Sequence, residues 1–487
     1  MSLTSALNIA QSALFNTSRQ TSIVSRNISE ASNPDYARRA ASLVSTNSGA
    51  QIGDIRRATD EVLFRQNLAA QSSWNGQSFL SRGLDRLQIN VNGVDNASSP
   101  ATALSKLREA LQTYAATPSN RTLAENAVEA ARQMVLSLNS GTAAIQSFRT
   151  DIDQEISASV DDLNRLLAEF ETVNTQIVSG TRTGRDVSDM LDRRDALLKQ
   201  ISAYLPVSTI TRANNDMVLT TTGGVTLFET VPRPVSFTAN NAYAAGTLGN
   251  AVYVDGVPLS PGAGGGNTTA SGSLAANLQL RDEIAVQMQR QLDEIARGLV
   301  SVFAESDPSG TLSDAAGLFT WPGGPALPAD GILVDGLAGR ISVNPAMDSR
   351  AGGDPELLRD GGANGTAYLH NTTGAASYSG LLNSFVERLE TPQLFDPATG
   401  LGSSQSLFSF SVETIGWLEG LRQQSASGMA AKEALASHTA TALANTTGVN
   451  IDEEMALLLE LEHSYQASAR LMSVIDEMLA NLMEVAR

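Results

Sequence analysis

Three carboxylates recur at every third residue in Ser188-Asp189-Met190-Leu191-Asp192-Arg193-Arg194-Asp195. On a helix that spacing puts Asp189, Asp192 and Asp195 on one side, as an acid–base pair would require. Arg193 and Arg194 stand directly beside them, so local salt bridging is the expected role of the cluster. The histidines, His370, His438 and His463, include no pair at the four-residue spacing of a helical metal site. His463 shares the last helical segment with Tyr465 and reads as a surface or interface residue. Gly262 to Gly266 has the glycine content of a phosphate-binding loop, but no Lys-Ser or Lys-Thr follows, so it reads as a connection. Asn267-Thr268-Thr269 is a glycosylation-type triplet of a kind expected by chance in a chain this rich in Asn, Ser and Thr. No serine sits in a Gly-x-Ser-x-Gly elbow, and the absence of cysteine excludes disulfides, zinc thiolate sites and thiol nucleophiles. These residues nominate no catalytic group, no cofactor-binding group and no metal ligand.

The regular patterning lies at the two ends of the chain. Leu3, Leu7, Ala10, Leu14, Thr17, Thr21, Val24, Ile28 and Ala31 alternate steps of four and three, as a coiled-coil seam requires. Ile451, Leu458, Tyr465, Met472 and Leu479 fall seven apart, and Leu461, Ser468, Ile475 and Leu482 follow the latter four by three residues. Each seam needs a partner, and the nearest is the other terminus. The charges agree: residues 1–40 carry net +2, with Arg19, Arg26, Arg38 and Arg39 against Glu30 and Asp35, while residues 451–487 carry net −6. The pairing is weak, because Ala10, Thr17 and Thr21 bury little apolar area where a leucine would contribute roughly 1.5–3 kcal/mol. Ser, Thr and Asn also compete for backbone hydrogen bonds in the first segment. Termini of this quality are expected to be disordered in the free monomer and to become helical when many copies pack. The expected assembly interface is Leu3, Leu7, Leu14, Val24, Ile28, Ile451, Leu458, Leu461, Tyr465, Met472, Ile475, Leu479 and Leu482.

At 487 residues and 42 % hydrophobic content the chain can build several real cores. A formal charge of −18 argues against a nucleic-acid surface and is accounted for by solubility. An acidic C-terminal segment disfavours a membrane-surface helix, and no apolar stretch reaches bilayer-spanning length. The N-terminus lacks the basic region, apolar core and small-residue cleavage site of a secretory signal, so a protein that left the cell would keep its first helix.

Between the ends, the first helix is expected to stop at Asn33-Pro34 and residues 35–58 to be extended or looped. Helical periodicity then runs from Asp60 to about Leu205, its best stretch being Ile152, Ile156, Leu163, Leu166, Phe170, Val173 and Ile177, ending at Gly180. After Pro206 the texture turns to β, with Met217–Thr220 and Val225–Phe228 around Gly223-Gly224 and Val252–Val254 before an Asp255-Gly256 turn. Helical period returns from Leu280 to Val302, from Leu381 to Leu389 and from about Ser406 onward, the last helix being capped by Asn450 with Glu453 three residues on. The expected class is mainly α with an inserted β-rich unit, α+β and multidomain. Residues 1–40 and 441–487 form a terminal coiled coil, 41–205, 275–305 and 380–440 a helical frame, 206–274 an outer β-rich domain, and 306–379 an irregular segment with one strand near Ile341–Val343.

Ser5-Ala6-Leu7, Ala13-Leu14, Asn27-Ile28, Asn33-Pro34-Asp35-Tyr36 and Arg38 together resemble the N-terminal signature of bacterial flagellar rod, hook and hook-associated proteins. Where that family usually has Asn-Ile-Ala-Asn and Asn-Thr-x-Gly-Tyr, this chain has Asn27-Ile28-Ser29-Glu30 and Asn33-Pro34-Asp35-Tyr36. Gly448 to Met455, Tyr465 to Arg470 and Asp476 to Leu479 match more closely, and Met190 to Leu198 is similar to a segment of the hook-associated branch that the hook protein lacks. The resemblance implies a non-enzymatic axial subunit, exported unfolded through the flagellar type III apparatus to the extracellular junction of hook and filament. Its implied partners are copies of itself in a junction ring, the hook protein, a second junction protein next to the filament, and a cytoplasmic export chaperone on a region that includes Met455, Leu458, Tyr465, Leu471 and Ile475. A hook or distal rod protein is the lesser alternative, and a secreted acidic hydrolase using carboxylates of 206–274 or 306–379 is the alternative of another class.

Overall fold

The computed structural model of the chain describes residues 3–46, 49–259 and 271–485, so the glycine run 262–266 and the Asn267 triplet lie outside the described residues. Helical periodicity becomes α1 (Leu3–Ser29), α2 (Glu61–Asn92), α3 (Pro100–Ala116), α4 (Arg121–Arg182), α5 (Ser188–Tyr204), α6 (Ser273–Gln279), α7 (Ala285–Val302), α8 (Leu357–Asp360), α9 (Gly380–Glu390), α10 (Leu407–Thr447) and α11 (Ile451–Val485). The strands are β1 (Arg39–Thr46), β2 (Gly49–Arg57), β3 (Val207–Thr211), β4 (Met217–Thr221), β5 (Thr226–Phe228), β6 (Val235–Ser236), β7 (Tyr253–Val254), β8 (Val257–Pro258), β9 (Phe319–Thr320), β10 (Ser342–Val343), β11 (Pro392–Leu394) and β12 (Ser404–Ser406). The mainly helical class with a β-rich insertion is what the structure has. Two compact units divide the chain, one of Met1–Trp74, Asp162–Val235 and Ala431–Arg487, the other of Asn75–Asp161 and Ser236–Ala430.

In the first unit α1 packs along α11, and the two run in opposite directions, since Asn27 in the last turn of α1 bonds Glu454 in the first turn of α11 at 3.0 Å. Both helices are continuous over their described lengths and pack on one another within a single chain. Asn450 caps α11 as its sequence predicts: its Oδ1 accepts the Asp452 N–H at 3.0 Å, and its amide donates to Glu453 Oε1 at 3.3 Å.

Residues 35–58, expected to be extended or looped, contain an antiparallel hairpin with Arg39 opposite Arg57 at its base and Thr46 opposite Gly49. Its strands lack the β-branched alternation that announces a sheet, and α1 supplies the missing support. Ser12 donates to the Ala50 carbonyl at 2.7 Å, while Asn16 both donates to that carbonyl and accepts from the Ile52 N–H.

The helix predicted to stop at Gly180 continues to Arg182. Gly184, at φ 67°, is the residue that takes the left-handed turn: its N–H reaches the Thr181 carbonyl and the Arg185 N–H reaches that of Gly180 at 2.9 Å. Beyond α5 the sheet β3–β4–β5 packs Phe228 edge-on against Phe170 at 5.0 Å.

The second unit is centred on α7, α9 and the aromatic contacts Phe303–Phe319 at 5.2 Å, Phe303–Phe385 at 5.1 Å and stacked Phe395–Phe410 at 4.0 Å. Between α6 and α7 a π turn, Leu280–Ile284, carries Arg281 into the interior, where it pairs with buried Asp153 and donates to the Asn250 carbonyl. Residues 306–379 are ordered loops with little regular structure beyond β9–β10, held by buried carboxylates in place of a sheet. Glu305 accepts the N–H groups of Ala363 and Asn364, both at 2.9 Å. Asp293 accepts those of Gly336 at 2.8 Å and Ala338 at 2.9 Å. Burial pushes Asp293 up to about 6 in spite of those donors.

Candidate assembly site

Asn27 is fully buried near the end of α1, a costly place for an amide unless every polar atom is satisfied. It is satisfied four ways. Nδ2 donates to the Arg39 carbonyl at 2.9 Å and to Glu454 Oε2 at 3.0 Å; Oδ1 accepts from Tyr36 Oη at 2.7 Å and from the Arg39 N–H at 3.1 Å. One side chain thus ties α1 to the Tyr36 turn, to the first residue of β1 and to α11. Glu454, also buried, takes Arg38 Nε on its other oxygen at 2.5 Å, and the Arg38 N–H donates to the Thr447 carbonyl at 2.8 Å.

The acidic face of α5 completes this knot of terminal segments. Asp189 pairs with Arg26 and Arg39, both at 2.6 Å; Asp192 pairs with Arg39 at 2.8 Å and Arg57 at 2.6 Å; Asp195 pairs with Arg57. The expected local bridging to Arg193 and Arg194 is therefore corrected. Arg193 reaches Glu169, and Arg194 is buried against Asn174 Oδ1 and the Asn215 carbonyl. Burial lifts Asp192 above the ordinary carboxylate range and outweighs Arg57 and Arg39. At Asp189 burial acts the same way but is overcome by Arg39 and Arg26, which hold it below that range. Lys199 on the same helix pairs with Asp35 at 2.7 Å.

The residues of the two seams separate into inner and outer sets. On α1, Val24 is buried and Leu3, Leu7, Leu14 and Ile28 are half-buried. On α11, Leu461 and Ile475 are buried, Leu458, Met472 and Leu479 are half-buried, and Ile451, Tyr465 and Leu482 face out. Of the residues in the implied chaperone region, Met455, Tyr465 and Leu471 are exposed, Leu458 is half-buried and Ile475 is buried. Sequence spacing gave no sign of the knot. Arg57 carried no signal at all, while Asn27, Tyr36 and Glu454 sat in recognisable motifs without a visible reason.

Elsewhere carboxylates serve the fold: Asp307 accepts the N–H groups of Ser309, Thr311 and Leu312, and Asp360 pairs with Arg359 and Asn371. Among the described residues no group of three His, Asp or Glu side chains is placed to hold a metal ion, and no helix is long and apolar enough to cross a membrane.

Comparison with known proteins converges on one family. Residues 88–318, which include the α5 carboxylates, match the flagellar hook-associated protein FlgK helical domain, and residues 443–485, which include Glu454 and all of α11, match the C-terminal domain of flagellar basal body rod FlgEFG proteins. Flagellar hook-associated protein 1 of Bacillus subtilis is 22 % identical over 522 aligned positions, covering 97 % of this chain and 96 % of that protein. The protein of the same name from Escherichia coli is 25 % identical over 336 positions, covering 63 % of this chain and 56 % of the relative. A solved structure of the flagellar hook junction protein FlgK from Burkholderia pseudomallei is 20 % identical, with a TM-score of 0.42 over 53 % of this chain and 46 % of that one. Matches to both an axial C-terminal domain and a hook-associated helical domain define a structural axial protein of the bacterial flagellum. Within that class, the chain is similar over nearly its whole length to a protein named flagellar hook-associated protein 1.

Proposed function

We propose that this chain is a structural subunit of the junction between hook and filament, assembling through its paired terminal helices after export. The observation that carries this reading is the knot around Asn27, Glu454 and Asp192, which joins N-terminal, C-terminal and frame segments into one body able to bear load. Copies of the chain form a ring on the hook protein and present the opposite side to a second junction protein next to the filament. The subunit performs no catalysis, is secreted through the type III apparatus and works outside the cell. In the cytoplasm an export chaperone covers the C-terminal region, where Met455, Tyr465 and Leu471 offer it exposed apolar area.

Leu458 and Leu479 are half-buried at helical spacing from buried Leu461 and Ile475 on α11, so an arginine at either position must be partly desolvated or open the helix pair. Leu458→Arg or Leu479→Arg is expected to give a subunit that is recovered in the medium but forms no junction. Filaments of normal number and length in either strain would contradict the reading.

A further inference from the structure

β3 lies at the edge of the β3–β4–β5 sheet, and its register with β4 fixes which of its backbone groups are free. The Arg212 N–H donates to the Asp216 carbonyl at 2.6 Å and the Thr222 N–H to that of Pro206 at 3.2 Å, so Pro206, Ser208, Ile210 and Arg212 stand at the hydrogen-bonded positions opposite β4 and its flanks. The N–H and C=O groups of Val207, Thr209 and Thr211 therefore point away from the sheet, and among the described residues no hydrogen bond engages them. Sheet edges are usually blunted by a charge, a proline, a bulge or a covering element. β1 carries a bulge between Ser42 and Leu43, β2 is capped on its outer side by Asn16, and β8 ends on Pro258. β3 is uncharged and free of proline, its pairing with β4 is unbroken, and it is β-branched at every position but Ser208. Ser208 and Thr211 are exposed, and Ile210 is 59 % exposed.

We propose that a second copy of this chain adds its own β3 antiparallel to this edge, with Thr209 opposite Thr209 on a two-fold axis. The free groups select that occupant, because Val207 and Thr211 stand symmetrically about Thr209. Val207 of one copy exchanges hydrogen bonds with Thr211 of the other, the two Thr209 residues exchange them with each other, and every free N–H and C=O of the edge is satisfied. The same register sets Ile210 opposite Ser208 of the second copy and brings the two isoleucines within diagonal reach on one face. Arg212 falls level with Pro206 of the second copy, so no like charges meet. The product is one continuous sheet in the order β5–β4–β3–β3–β4–β5. A two-fold contact uses the same patch on both copies and closes on itself, so it belongs to the free folded chain and cannot propagate along a tube. It is thus independent of the junction reading.

Sedimentation equilibrium of the purified full-length chain, from low to high micromolar concentration, is expected to show an average mass rising toward twice that of one chain. Thr209→Pro removes an outward N–H without touching the β3–β4 ladder, and is expected to hold the mass at that of one chain with an unchanged circular dichroism spectrum. Ile210→Lys alters only an exposed side chain, leaves both ladders intact and is expected to weaken association several-fold by setting like charges in diagonal reach. The chain has no cysteine, so the register can be read by cross-linking without background. On mild oxidation Thr209→Cys is expected to give a disulfide-linked dimer and nothing larger. Thr211→Cys is expected to stay monomeric, because its two copies lie about 14 Å apart along the paired strands. A wild-type mass of one chain throughout, association that survives both Thr209→Pro and Ile210→Lys, or equal cross-linking of the two cysteine variants would overturn the contact.

Discussion

Asp192 stands between Arg39 and Arg57, which occupy one cross-strand pair at the base of the β1–β2 hairpin. Like charges directly opposite one another destabilise a sheet, so the hairpin base closes only when α5 supplies the intervening carboxylate. Asp192→Ala is therefore expected to lower the stability of the first unit by about 3 kcal/mol, the scale of breaking a buried ion pair. Chemical denaturation followed through that unit checks this, and a loss below about 1 kcal/mol would contradict it. The three-residue spacing of Asp189, Asp192 and Asp195 was legible in the sequence, but their partners were not. Arg194 is adjacent in sequence yet points into the core, because neighbours one or two apart on a helix do not face each other. Arg26, Arg39 and Arg57 come together with α5 only through tertiary structure. In the second unit the signature is titration. Asp293, raised to about 6, takes up a proton on folding between its ordinary range and that value, so its contribution to stability declines as pH rises through about 4 to 6. Carboxyl-carbon chemical shifts should give a midpoint near 6; a midpoint near 4 would show that burial does not dominate there.

The terminal helices were legible because their seams keep step over nine and nine positions, and the cap at Asn450 was legible because its chemistry is local. The hairpin was not, since its strands read Arg-Ala-Ala-Ser-Leu-Val-Ser-Thr and Gly-Ala-Gln-Ile-Gly-Asp-Ile-Arg-Arg, and its stability comes from Ser12 and Asn16 on another element. The end of α4 was misplaced because Gly180 is tolerated inside the helix, while Gly184 is the residue whose positive φ closes it. Pairing within one chain leaves the terminal helices only marginally held: the seam contains Ala10, Thr17 and Thr21, and α11 keeps one apolar face in water. Backbone amides of α1 and α11 in the purified monomer are expected to exchange with solvent far faster than those in the buried stretch of α4 around Phe170, and a protease is expected to cut the termini first. Equal protection in a verified monomer would refute the view that neighbouring subunits supply most of their stability.

For the whole molecule, composition excluded more than it identified: the absence of cysteine removed thiol chemistry, the −18 net charge argued against a nucleic-acid surface, and neither said what the chain builds. Residues 306–379 were the least legible part, since Glu305 and Asp293 organise those loops through backbone N–H groups that leave no pattern in side-chain types. The division of strands was equally hidden, with β3, β4 and β5 in the first unit and β7 and β8 in the second. What the two ends disclosed was that the chain pairs its termini, and the matches to flagellar proteins suit that pairing to the structural role proposed above. Electron microscopy of cells lacking this protein, scoring hooks and filaments separately, tests that role most directly. Complete hooks without filaments, with flagellin released to the medium, are predicted. Normal filaments on those cells would contradict the account, and missing hooks would move the protein to an earlier place in the axis.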